Sequence, residues 1–105
     1  MVSRPEDVSR EWLRGFCARW KIREFALFGS VARREAGPDS DVDVLVSFEA
    51  GARWGLWAFI EMQDQIESSF GRKVHLVSRR GIERSRNHVR REEILNSAEV
   101  LHAAS

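Results

Sequence analysis

Apolar positions along this chain switch between a helical and a strand-like period. Val8, Trp12, Phe16 and Trp20 recur every four residues, with Leu13 beside them, which is the pattern of an amphipathic helix. Ser3, Pro5 and Glu6 form a start signature, Glu6 standing three residues after a possible Ser3 cap, so the predicted helix runs from there to about Trp20. Ile22 to Phe28 follows, its second half continuously apolar, as in a strand covered on both faces. Gly29-Ser30 ends that strand with a turn-forming glycine and a good helix cap. A short helix is expected from Val31 to about Glu35, closed by the Gly37-Pro38 breaker. Asp41 to Phe48 is predicted as the second strand.

Gly51 marks a turn, and the pattern then predicts a long helix from about Arg53 to Phe70 with Gly71 as its C′ residue. On a helical wheel Leu56, Phe59, Ile60, Gln63, Ile66 and Phe70 share one face, which is assigned to the core. Trp54 and Trp57 fall off that face. They serve either a partner surface or packing against the preceding loop or the first helix. Lys73 to Val77 reads as a third strand, apolar apart from His75. From about Gly81 to Leu101 the composition is helical, with sparse apolar contacts from Ile82, Val89, Ile94 and Leu101. Alternating strands and helices define an α/β fold: one small domain over residues 1–105, with a mixed β-sheet flanked by helices. A further short edge strand is compatible with this pattern but has no assignable position.

Composition changes the picture little: 43% hydrophobic and 31% charged residues with a net charge of +1 describe an ordinary globular chain. The distribution of charge is more informative. Residues 39–67 carry seven acidic side chains against one Arg, whereas residues 72–91 carry eight Lys/Arg against one Glu. This suggests either an acidic metal-binding surface beside a basic phosphate-attracting one, or two solvated faces. The Arg-rich segment 79–91 has no interleaved aromatic residues, which argues against single-stranded nucleic acid as the partner. Cys17 is the only cysteine; it sits in a helical apolar pattern and is expected to be a core residue, not a nucleophile. No apolar run reaches transmembrane length and no signal-peptide pattern opens the chain, so membrane association is not expected and the expected location is cytoplasmic.

Candidate chemistry concentrates in Phe28-Gly29-Ser30 and Ser40-Asp41-Val42-Asp43-Val44-Leu45-Val46. Residues i and i+2 of a strand point to one face, so Asp41 and Asp43 are expected to project together. Paired carboxylates repel and lose hydration on burial, a cost that a divalent cation relieves. A Gly-Ser turn leading into a helix presents backbone N–H groups to an anion. Each signal is weak alone. Together, on consecutive elements, they describe a metal-dependent phosphate site in which Mg²⁺ bridges carboxylates and substrate phosphates, with two ions possible. Ser30 would hold the outer phosphates, and Arg33 or Arg34 could pair with them.

These blocks, with Gly71-Arg72-Lys73-Val74-His75-Leu76-Val77, resemble the nucleotidyltransferase (DNA polymerase β-like) superfamily, and specifically its minimal nucleotidyltransferases. The likeness covers about Ile22 to Leu101. It implies a nucleotidyltransferase-like fold, Gly29 and Ser30 in nucleotide phosphate binding, and Asp41 and Asp43 as Mg²⁺ ligands. It also implies transfer of a nucleoside monophosphate from a nucleoside triphosphate, AMP from ATP being the expected pair. Members of this group are commonly encoded beside a small helical HEPN-type protein, act as its antitoxin, and in some cases modify a tyrosine of it with AMP. One position departs from the family pattern: the third carboxylate, expected on the third strand, is His75.

A neutral imidazole brings no negative charge and matches hard Mg²⁺ poorly. His75 is open to three readings: a general base, a catalytically weak site, or a binding-only module that neutralises its partner by complex formation. Glu61, Asp64 or Glu67 could substitute for the missing carboxylate. A chain of this length leaves little room for a separate recognition domain, so the partner is expected to supply or to be the acceptor.

Overall fold

The structure, a computed structural model, describes residues 8–32, 37 and 40–103, and only the backbone of residues 30 and 31. Helix α1, Arg10–Arg19, starts at Ser9, whose side chain accepts a hydrogen bond from the Trp12 N–H. This side-chain cap satisfies one of the helix's first free donors. The expected Ser3 cap lies outside the described residues. Strand β1, Ile22–Phe28, follows a turn in which Lys21 adopts a positive φ of 55°. Helix α2 is a single turn, Gly29–Ala32, and strand β2 is Val42–Phe48. Helix α3, Leu56–Phe70, ends at Gly71 in the left-handed conformation, φ 69°, as its sequence predicts.

Strand β3, Val74–Ser78, then leads into helices α4, Arg79–Glu83, and α5, His88–Ser97, and a last strand β4, Glu99–Ala103. The region expected to be helical through Leu101 therefore ends in the edge strand that could not be positioned from sequence. The sheet order is β3-β2-β1-β4. β1 pairs antiparallel with both β2 and β4, and β2 pairs parallel with β3, which makes the sheet mixed and flanked by helices, as expected for the α/β class. Among the described residues no helix is long and apolar enough to cross a membrane.

Side-chain alternation sorts the sheet into two faces. Phe25, Leu27, Val42, Val44, Val46, Val74 and Leu76 form the larger core with Leu13, Phe16 and Cys17 of α1 and Met62, Ile66 and Phe70 of α3. Ala26, Phe28 and Leu45 point the other way, onto Ile82 of α4 and Ile94 of α5. Cys17 is 1% exposed, and burial pushes its thiol up to about 12. It is a core residue, and its neutral thiol is no nucleophile.

The core face of α3 includes Ile66 and Phe70 as expected, with Phe59 packed at its margin, but departs from the wheel expectation at Leu56 and Ile60. Met62, Ile66 and Phe70, spaced by four, are buried, whereas Leu56 is 73% and Ile60 43% exposed. The apolar positions form one broad arc around this helix, and periodicity alone does not say that the sheet meets its Met62 edge and leaves its Leu56 and Ile60 edge outside. The two tryptophans also part company. Trp54 precedes the helix, donates its indole N–H to the Trp20 carbonyl at 2.8 Å and packs edge-on against the Trp20 ring, 5.1 Å between centroids. Trp57 is 82% exposed. Met62→Ala is expected to cost about 2–5 kcal/mol in urea unfolding, and Leu56→Ser to stay within about 0.5 kcal/mol. Equal losses would return Leu56 to the core.

Candidate active site at the head of β2

Three sequence-predicted site residues meet at one end of the sheet. The β1–β2 register sets Phe28 opposite Asp43, and the β2–β3 register sets Asp43 opposite His75. Asp43 and His75 share the strand face of Leu45 and Val77, away from the larger core. The His75 Nδ1 lies 3.5 Å from the Asp43 Oδ1, with the two side chains 56% and 27% exposed. That distance is too long for a hydrogen bond, and the contact is an ion pair only when the imidazole is protonated.

Gly29 turns the chain out of β1 with φ 70°, and a Cβ on it would overlap the Asp43 carboxylate at Oδ2. Glycine is required here twice over, by its backbone conformation and by the lack of space. The two oxygens of Asp43 thus have separate neighbours: Oδ2 faces the Gly29 backbone and Oδ1 faces His75.

Asp41 lies just outside the strand predicted to begin with it and is exposed. Its approach is set by a small turn, in which the Ser40 hydroxyl accepts from the Gly37 N–H at 3.0 Å. Beyond it, the Val42 N–H donates to the Lys73 carbonyl at 2.9 Å, joining β2 to the entry of β3. The Ser30 side chain and Arg33, expected on the phosphates, lie outside the described residues.

The carboxylates weighed as substitutes for the missing one belong elsewhere. Glu67 accepts the Val74 N–H at 2.9 Å, and Glu61 pairs with Arg19 at 3.5 Å. Both project from α3, which packs on the opposite face of the sheet. Asp64 is on the same helix, in a surface hollow with Trp12 and Ser68.

Helix α5 adds residues that sequence reasoning missed. A cleft of about 210 Å³ at Gly29 and Phe28 is walled by Arg90, Glu93, Ile94 and Ser97. No motif marks them; they reach the site because β4 returns along the free edge of β1 and carries α5 across the sheet.

The donor chemistry separates two halves of the site. Asp41 and Asp43 offer hard oxygens, suited to a cation such as Mg²⁺ that is held by one or two carboxylates, waters and substrate phosphates. His75 offers a borderline nitrogen, which Mg²⁺ disfavours. Among the described residues no group of three or more His, Cys, Asp or Glu side chains is gathered to hold an ion.

Comparison with known proteins follows the same lines. The nucleotidyltransferase domain family matches residues 9–101. Protein adenylyltransferase MntA of Thermococcus cleftensis is 46% identical over 59 residues, a stretch spanning 56% of this chain and 58% of that protein. A solved structure described as a minimal nucleotidyltransferase is 38% identical, with 86% of each chain covered and a TM-score of 0.64. A chain from the complex of a tri-AMPylated Shewanella oneidensis HEPN toxin with its MNT antitoxin shares the fold at 20% identity, with 95% of this chain and 71% of that chain covered and a TM-score of 0.60.

If Gly29 is held open for Asp43, Gly29→Ala costs at least about 1 kcal/mol from the left-handed backbone alone, and more from the overlap. A double-mutant cycle with Asp43→Ala, read by urea unfolding, should show a smaller penalty when Asp43 is gone. Additive penalties would mean that the two residues do not press on one another.

Proposed function

The chain belongs to the nucleotidyltransferase domain family, and from that premise we propose that it transfers AMP from ATP to a partner protein. In this reading it is the antitoxin half of a pair whose other member is a helical HEPN-type toxin. The observation that carries the proposal is the meeting of Gly29, Asp43 and His75 at one sheet end. It brings the Gly-Ser turn against one carboxylate of the Asp-x-Asp motif. The adenylyltransferase relative supplies the reaction class, and the toxin–antitoxin complex supplies the kind of partner.

Asp41 and Asp43 would hold the divalent cation, Mg²⁺ in the resemblance, which when bound neutralises charge on the transferring phosphates. The chain's own residues do the positioning. Gly29 and Ser30 turn backbone N–H groups toward the phosphates, and the missing Cβ at Gly29 keeps that approach clear. Arg90 on the cleft wall gives the triphosphate a guanidinium from α5, the group best matched to phosphate oxygens. His75 stands third in the catalytic set, opposite Asp43. The attacking hydroxyl belongs to the partner in this reading, since the His75 side chain is half exposed and reachable from outside the chain.

Leu56, Trp57 and Ile60 lie within about 100° of one another around α3 and are all exposed. We assign this apolar strip to the contact with the toxin. A second reading, in which the fold neutralises its partner by binding alone, is favoured by the imidazole at the third position.

Incubation of the pure protein with labelled ATP, a divalent cation and the protein encoded by its genomic neighbour should label the neighbour. Asp43→Asn should reduce transfer by at least about a hundredfold, the scale lost with a major electrostatic group. If the Asp41→Asn, Asp43→Asn double variant neutralises the toxin as well as the wild type, the binding-only reading stands instead. Trp57→Ala should weaken the complex by more than about 1 kcal/mol in calorimetry while leaving the unfolding midpoint of the free chain in place. Unchanged affinity would remove α3 from the interface.

A further inference from the structure

We infer that this chain carries a second ligand site, at the end of the sheet away from Gly29 and Asp43, for a small molecule that joins a planar ring to a phosphate, as a free mononucleotide does. A pocket of about 440 Å³ lies there, walled by Phe48 at the end of β2, by Trp54 and Phe59 around the start of α3, and by Arg53 and Arg80. Asp43 stands near the start of β2 and Phe48 at its end, about 17 Å apart at the rise of a strand. The two sites also use opposite faces of the sheet. Phe48 and Phe59 pack against the larger core, whereas Asp43 and His75 project from the other side. The pocket is therefore no extension of the cleft proposed for transfer, and it does not depend on that reaction.

The lining offers different partners to the two halves of such a ligand. Phe48 and Phe59 meet edge to face, 5.7 Å between centroids, and Trp54 has already given its indole N–H to the Trp20 carbonyl. These three rings thus present apolar surface, against which a flat heterocycle can stack, in a volume suited to a small molecule. Charge lies beside them. Among the described residues neither Arg53 nor Arg80 makes an ion pair or a side-chain hydrogen bond, whereas the adjacent Arg79 pairs with Glu24 at 3.6 Å. No acidic side chain among the described residues lines the pocket. Gly55, also in its wall, caps α3 without a side-chain hydrogen bond, and the first turn of α3 has no acidic residue, so the partial positive charge of the helix end adds to the two guanidiniums. Arginine is the side chain best matched to phosphate oxygens. Two of them, unpaired beside aromatic walls, favour a phosphorylated ring over an uncharged one, which would leave both cations unanswered.

AMP is the probe, titrated into the full isotope-labelled chain with divalent cations removed by a chelator and no partner present. Binding should shift the Trp54 indole N–H resonance together with the amides of residues 52–59 and 78–80. Adenosine, which lacks the phosphate, and ribose 5-phosphate, which lacks the ring, should each bind at least about tenfold more weakly. The Arg53→Gln, Arg80→Gln double variant should weaken AMP binding to a similar degree and keep the wild-type unfolding midpoint, since both side chains are exposed. The inference is overturned if millimolar AMP leaves Trp54 unmoved or shifts only the resonances around Phe28 and Gly29. It is equally overturned if adenosine or ribose 5-phosphate binds as tightly as AMP, or if the double variant binds AMP as well as the wild type does. Transfer of AMP to a partner enters none of these readouts, so this result and that of the labelling experiment stand or fall separately.

Discussion

The close approach of Gly29 to the Asp43 carboxylate is the constraint on which the rest of the site depends. It exists because β1 ends where β2 begins, with Phe28 opposite Asp43, and because the chain leaves β1 through a left-handed glycine. The packing of the larger core holds that register in place. Phe25 and Leu27 of β1 and Val42, Val44 and Val46 of β2 all point into it and are essentially inaccessible. A slip of one residue would turn this set toward the other face and bury Asp43 in its stead. The hydrophobic alternation of two strands thus decides which way one carboxylate points.

The two faces of the sheet do different work. One is sealed by α1 and α3, where Phe25 packs edge-on against Phe16 and Phe70 and the Cys17 thiol is kept neutral by burial. The other is covered only in part, by Ala26, Phe28 and Leu45 against α4 and α5. The head of β2 is left open there. Carboxylate and imidazole side chains remain partly hydrated at that end, which limits the cost of bringing charges together on a folded sheet. Stability is concentrated on one side, and a cleft is kept on the other.

Much of the fold was legible in the chain because its signals are local. The apolar run of β1, the alternation of β2, and Gly71 at the end of α3 each specify their element through near neighbours, and each appears where expected. The expectations that missed share a different property: they required knowing what an element packs against. Leu56 and Ile60 fall on the same apolar arc as Ile66 and Phe70, yet they stay exposed while Met62, on the arc's other edge, is buried against the sheet. Trp54 was separable from Trp57 only once Trp20 offered a carbonyl and a ring edge to it. The segment after Ser97 has too few residues to show a period, and it becomes β4 because the edge of β1 presents unpaired backbone groups to it.

The sequence by itself determined the α/β class and the Gly29 turn, since these follow from spacing along the chain. It also identified His75 as the residue that departs from the family pattern. Tertiary structure alone decided that Asp43 faces His75 across two strands at 3.5 Å, that Asp41 lies exposed just outside β2, and that Arg90 and Glu93 wall a cleft at Phe28 and Gly29. Strand pairing and the crossing of α5 set those distances, and they join residues too far apart in the chain for any local pattern to record.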